Sequence, residues 1–161
     1  MIVRRLTLSD AETYHQIRLE GLKAHPEAFG SSWAEEVAHP LNWFRDKLRS
    51  EYVAGFEHQG ALAGVCGLHR NDRLKTKHRA TLWGMYVSPE ARHTGAGACL
   101  MHDIVETARQ TVEELNLTVS AHNEPAIRLY RRFGFVEIGL HPHALKIGST
   151  YVDEVLMRLA F

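Results

Sequence analysis

Thr81-Leu82-Trp83-Gly84-Met85-Tyr86-Val87-Ser88-Pro89-Glu90-Ala91-Arg92-His93-Thr94-Gly95-Ala96-Gly97-Ala98 is the stretch whose reading decides how this chain folds. Its β-rich start, Thr81 to Val87, predicts a strand that ends at the turn signal Ser88-Pro89. From Ala98 the apolar spacing turns helical, with Leu100, Ile104 and Ala108 on one stripe and Met101, Val105 and Val112 beside it. Gly95 and Gly97 lie between, where the backbone can come close to a ligand. A glycine loop feeding a helix N-terminus offers free N–H groups and the positive end of the helix dipole, which suits a phosphate. Arg92 adds a cation at the mouth of the loop. No Lys-Ser or Lys-Thr follows, so this is not a P-loop, and Leu100 stands where a dinucleotide fingerprint needs its third glycine.

A second segment narrows the kind of phosphate. Leu117 to Ala121 predicts a short strand, followed by His122-Asn123-Glu124-Pro125-Ala126-Ile127-Arg128-Leu129-Tyr130-Arg131-Arg132-Phe133-Gly134-Phe135. Asn123 is a good N-cap with Pro125 in the first turn, and Gly134 stops the helix. Ala126, Leu129, Tyr130 and Phe133 share its apolar face.

Arg-x-x-Gly-x-Gly opening a helix, then Asn-x-x-Ala-x-x-Leu-Tyr-x-x-x-Gly-Phe further on, resembles the GNAT superfamily of N-acetyltransferases. The two segments match in order, spacing and context, and cover roughly residues 79–136. The resemblance implies an α+β fold of GNAT type: a mixed, mostly antiparallel sheet of six or seven strands flanked by about four helices, in the order β-α-α-β-β-β-α-β-α-β-β. It implies acetyl-CoA as co-substrate, with no metal, and a small-molecule or protein amine as acceptor. The pyrophosphate is then expected on Arg92, His93, Thr94, Gly95, Ala96, Gly97 and Ala98. The pantetheine is expected beside Met85, Tyr86 and Val87, whose backbone would also polarise the thioester carbonyl, with Asn123 and Ala126 at the opposite lip. Tyr130 matches the family's tyrosine that protonates the departing thiolate. Some relatives place a glutamate as base on the strand before the Asn helix. Here that position is Thr118, which cannot be a general base at neutral pH. Relatives are often dimers, so a homodimer is compatible with the resemblance. A non-catalytic acyl-CoA-binding or sensing module is the alternative reading.

The rest of the chain bounds the answer. A length of 161 residues suits one domain spanning 1–161, and 45% hydrophobic with 24% charged residues is ordinary for a soluble globule. Lys+Arg equals Asp+Glu, 19 each, so no global field advertises nucleic acid or an anionic membrane. With no leader or membrane-length apolar run in the sequence, the expected place is the cytoplasm. Cys66 and Cys99 fall in a strand and a helix and are expected as buried thiols. The eleven histidines show no convincing metal spacing.

Organisation follows the same signals. Ile2 to Leu6 predicts a strand, and Ser9-Asp-Ala-Glu12 a capping box opening a helix to about Ala24. Ser32-Trp-Ala-Glu35 is a second capping box, and Pro40 opens a helix with Leu41, Phe44 and Leu48 inward. Tyr52–His58 and Ala61–Leu68 read as a hairpin about Gln59-Gly60, and Phe135 to Leu159 as a closing hairpin. Glu35 and Glu36 fall where the acceptor pocket is expected, which makes them candidates for base or acceptor binding; each could equally belong to a cap and a solvated helix face. The basic run Arg70, Arg73, Lys75, Lys77, His78 and Arg79 is expected as a solvated connection.

Overall fold

A computed structural model describes residues 2–161. Seven strands form one sheet in the order β1-β2-β3-β4-β5-β7-β6, namely β1 (Ile2–Arg5), β2 (Tyr52–His58), β3 (Ala61–Arg70), β4 (Arg79–Val87), β5 (Glu114–Ser120), β6 (Val136–Ile147) and β7 (Thr150–Ala160). All neighbours are antiparallel except β4 and β5. Five helices complete the fold: α1 (Ala11–Ala24), the single turn α2 (Trp33–Glu36), α3 (Leu41–Ser50), α4 (Ala96–Arg109) and α5 (Glu124–Arg132). The expected mixed sheet and element order hold, with α2 as a short addition between the first two predicted helices.

Each face of the sheet carries its own apolar cluster. On one, α4 sets Leu100, Met101 and Ile104 against Phe56, Cys66, Leu115 and Met157. On the other, α1 and α3 set Tyr14, Ile17, Leu22, Phe44 and Leu48 against Val53 and Val65. Side chains so fully enclosed contribute heavily, and truncating one such as Ile104 to alanine would cost about 2–5 kcal/mol. The stripe foreseen on α4 is the buried one. Cys99 falls outside it and is exposed, whereas Cys66 is buried as expected; the apolar neighbours of Cys99 in sequence point elsewhere.

Several boundaries differ from the sequence expectation. The first capping box uses Thr7 and Asp10, not Ser9 and Glu12: Asp10 Oδ2 accepts from Thr7 N at 2.7 Å, and one 3₁₀ turn precedes α1. Arg4 also clamps Asp10, which fixes that turn. α4 begins at Ala96 instead of Ala98, because Gly95 takes the left-handed conformation (φ 90°) and serves as its N-cap. β5 begins at Glu114, earlier than Leu117. The Gln59-Gly60 hairpin forms as expected, with φ of 51° and 82° at the two turn residues.

The element that positions the site is the parting of β4 from β5. They pair over Arg79↔Glu114, Ala80↔Leu115 and Thr81↔Asn116 only. Beyond that, β4 stays with β3 out to Val87 while β5 stays with β7 out to Ser120, so a wedge opens between them. A bulge drives the divergence. Val65 faces Tyr86 and Gly67 faces Trp83, which leaves Cys66 opposite two residues, Gly84 and Met85. Gly84 sits at φ 63°, a conformation that a side chain makes costly.

Candidate active site

The wedge between β4 and β5 continues into a cleft of about 1050 Å³, at the upper end for small-molecule sites. Its walls come from β4, the glycine loop, β5 and α5. Nearly all of the residues singled out from the sequence for cofactor contact meet there: Met85, Tyr86, Val87, Arg92, His93, Gly95, Ala96, Gly97, Ala98, Asn123 and Ala126. Thr94 is the one that turns away, its hydroxyl donating to the Ala91 carbonyl at 2.7 Å. That bond braces the loop from within.

The geometry of the loop suits an anion. The first turn of α4 leaves its N–H groups without intrahelical partners, and the helix dipole points its positive end at the cleft. Arg92 is held at the rim by donating Nε to the Val87 carbonyl at 3.2 Å, with its Nη2 3.0 Å from His25 Nε2. The two glycines serve different ends. A Cβ on Gly95 would meet nothing, so its glycine answers to the backbone angle; a Cβ on Gly97 would stand 3.2 Å from Leu129 and 3.4 Å from Met85.

Along β4, the divergence of β5 leaves the backbone groups on that side without a strand partner past Thr81. An extended, amide-bearing ligand can take the vacated strand position. On the opposite lip, Asn123 accepts from Ala126 N at 3.2 Å through Oδ1 and so caps α5. Thr118 is exposed on the cleft wall.

Tyr130 lies at the bottom of the cleft, only 6% exposed, with its hydroxyl 3.7 Å from Met85 Sδ. Burial pushes its phenol well above the ordinary value. The group therefore holds its proton throughout the neutral range, and a thioether is a weak competitor for it. Tyr86, next to Met85 on β4 but facing α1, donates to Glu20 Oε1 at 2.8 Å, which ties β4 to α1, and burial pushes that phenol up to about 12.

A second cavity, of about 550 Å³, adjoins the cleft, and Trp83 forms part of both walls. Glu35 and Glu36 are both on it. Glu36 is buried and takes two hydrogen bonds from Arg18, Nε to Oε2 at 2.9 Å and Nη2 to Oε1 at 2.7 Å. Glu35 is exposed and closes the foreseen capping box, accepting from Ser32 N at 3.0 Å and Ser32 Oγ at 2.7 Å; those bonds hold its carboxyl below the usual range. Arg18, Trp83, Trp43 and Lys47 on this cavity, and His25 on the cleft, were not anticipated. Arg18 had one signal in the sequence: it interrupts the buried face of α1 formed by Ala11, Tyr14, Ile17, Gly21 and Leu22. The basic residues Arg70 to Arg79 line neither space. Among the described residues no three His, Cys, Asp or Glu side chains converge on a metal-sized site, and no helix is long and apolar enough to cross a membrane.

Comparison with known proteins agrees with this geometry. The sequence model described as "Acetyltransferase (GNAT) family" matches residues 15–135. The chain is similar to the L-amino acid N-acetyltransferase AaaT of Escherichia coli (strain K12), 26% identical, over 98% of this chain and 96% of that protein. The fold superposes on a ribosomal-protein-alanine N-acetyltransferase from Brucella melitensis at a TM-score of 0.84, with 21% identity and 100% of both chains covered. It superposes on a GNAT superfamily phosphinothricin acetyltransferase from Sinorhizobium meliloti in complex with acetyl-CoA at 0.81, with 19% identity over 99% of this chain and 88% of that one.

Proposed function

The chain belongs to the acetyltransferase (GNAT) family and is an acetyl-CoA-dependent N-acyltransferase, and from that premise we propose that a small primary amine attacks the thioester directly while both substrates are bound. The observation that carries this reading is the meeting of two spaces at Trp83: a long cleft with an anion cradle at one end, and a smaller cavity at its reacting end.

The residues divide the work. The glycine loop from Arg92 to Ala98 takes the pyrophosphate on its N–H groups and on Arg92. The open edge of β4 from Met85 to Val87 takes the pantetheine as an added strand and directs N–H groups at the thioester oxygen. Asn123, its Oδ1 committed to the cap, has its amide NH₂ for the pantetheine arm, and Ala126 gives that arm a small, close-fitting wall. Tyr130 donates its proton to the sulfur as the carbon–sulfur bond breaks, and the proton shed by the acylated nitrogen restores the phenol.

No carboxylate of the chain takes the amine's proton in this account. Thr118 holds the place where relatives carry a base, Glu36 has both oxygens engaged by Arg18, and Glu35 is a weakened base in its cap. The two glutamates shape the acceptor cavity, and the amine loses its proton to water before it attacks. The test is release of free CoA thiol when acetyl-CoA is mixed with a panel of small amines. Thiol release that depends on the amine, with N-acetyl product by mass, supports the reading; binding of acetyl-CoA without any amine-dependent release contradicts it.

A further inference from the structure

We propose that the second cavity holds the acceptor by a carboxylate, and that Arg18 Nη1 is the donor that binds it. The acceptor is then a small amine with a carboxylate close to its amino group. The inference rests on the acyl-transfer reading above and adds the acceptor's chemical class.

Arg18 is only 7% exposed, on a helix face that is otherwise apolar or small. Its charge is enclosed between the Phe29 ring, 5.2 Å from the guanidinium carbon, and the Trp83 ring, at 5.7 Å. Glu36 satisfies one edge of the fork, through Nε and Nη2. The remaining nitrogen, Nη1, is buried and has no partner in the protein. A buried donor without an acceptor is a free-energy cost that folded proteins rarely leave in place. A ligand oxygen on Nη1 would remove it, and a second carboxylate suits the geometry of that free end of the guanidinium.

The place is right for an acceptor. Arg18 lies on the second cavity, and its Nη1 is 3.1 Å from where a Cβ on Gly84 would stand. Gly84 belongs to the bulge on the wall of the main cleft, next to Met85. An anion on Nη1 is thus beside the segment of β4 that faces the thioester, and an amino group a bond or two away from it can reach the cleft.

Hydrogen bonding bears on the class. Of the cavity's carboxylates, Glu36 has both oxygens on Arg18, and Glu35, exposed at the rim, has Oε2 in its cap with Oε1 free. The buried donor left over is on the cation Arg18. Lys47 Nζ rests 5.3 Å from both the Trp43 and the Trp83 rings and forms no ion pair among the described residues. Arg18 pairs with Glu36, and Lys47 matches Glu35 in formal charge, so it is the orphaned donor Nη1 with Lys47 on the same wall, and not a net charge, that favours a carboxylate. A cavity of about 550 Å³ is of the size that small ligands occupy.

The experiment compares an α-amino acid, its carboxamide and its decarboxylated amine as acceptors. Free CoA thiol is measured with acetyl-CoA, and kcat/KM is referred to the neutral amine in each case. Several such trios are run, with aliphatic and aromatic side chains. The acid is expected to exceed both analogues by about 10- to 100-fold, the order that a charge-assisted hydrogen bond supplies. In a paired variant, Arg18→Met with Glu36→Met, no buried charge is left alone and the preference should vanish, with acetyl-CoA binding by calorimetry unchanged. Amides or plain amines that match the acids overturn the inference, as does a preference that survives in the paired variant. If that variant no longer binds acetyl-CoA, the ranking by the parent protein decides alone. Thiol release that ignores the carboxylate overturns this inference and leaves acyl transfer standing; silence with every trio, while acetyl-CoA binds, overturns both.

Discussion

Gly84 and Arg18 fit one another: the glycine takes φ 63° at the bulge of β4, and a Cβ there would press on Arg18 Nη1 at 3.1 Å. One backbone position thus sits at the bulge where β4 parts from β5 and makes room for the guanidinium behind it.

Gly84→Ala should therefore damage the site more than the fold. Holding a side chain at a left-handed backbone position costs roughly 1–2 kcal/mol. That loss is expected in a denaturation midpoint. The displaced guanidinium should raise KM for the acceptor well beyond what the stability change explains, with acetyl-CoA affinity nearly kept. An acceptor KM equal to that of the parent would separate Arg18 from the bulge.

Gly97→Val should weaken acetyl-CoA. The added side chain would meet Leu129 and Met85, so it pushes the cleft floor outward at the head of α4. Calorimetry is expected to show a fall in affinity of at least tenfold, the order set by overpacking that costs about 1–3 kcal/mol. The same affinity in a folded variant would remove the loop from the binding site.

Acid sensitivity should reside partly in the first turn. Arg4 hydrogen-bonded to Asp10 lowers that carboxyl to about 2. Because the folded value is depressed below the unfolded one, about 3.9, the pair's contribution is full above pH ~4 and is lost as pH falls through the folded value. The Arg4 side chain is 40% exposed, so solvent screening keeps the effect small. Asp10→Asn should lower stability at neutral pH and flatten the acid limb of a stability–pH curve between pH ~4 and ~2. An acid limb identical to the parent's would assign it to other carboxylates.

How much of this was legible in the sequence depends on how local each signal is. Gly95, Gly97, Asn123 and Pro125 act through backbone rules that span a few residues, so the loop and the cap of α5 could be read directly, although α4 starts two residues earlier than its apolar spacing indicated. Tyr130 could be placed because its motif is contiguous. The Arg18–Glu36 pair could not, since its members are 18 positions apart and meet only when α1 and α2 fold over one face of the sheet. Trp83 was inside the quoted strand, but which space its ring would border depended on the bulge, and the bulge depends on pairing with β3. The first capping box was misplaced by two residues, because Asp10 is claimed by Arg4 from a strand whose partner lies some fifty residues away. Glu35 and Glu36 were expected at the acceptor pocket, and both line the second cavity; their hydrogen-bond partners, which bear on what they can do, were beyond a sequence pattern.

The measurement that bears most directly on the central claim is the rate of acetyl transfer by Tyr130→Phe. The ring still fills its buried place against Phe135, 5.9 Å away between centroids, so fold and acetyl-CoA affinity should persist. Only the proton aimed past Met85 Sδ is removed. Single-turnover transfer to a good acceptor is expected to slow by ~10²–10⁴-fold, the usual worth of a general acid. The parent should show no alkaline loss of rate from this phenol below pH ~10, because burial raises its pKa from that ordinary value. A Tyr130→Phe protein that binds acetyl-CoA and transfers the acetyl group at the parent's rate would contradict the account, and would return Tyr130 to the core as a packing residue.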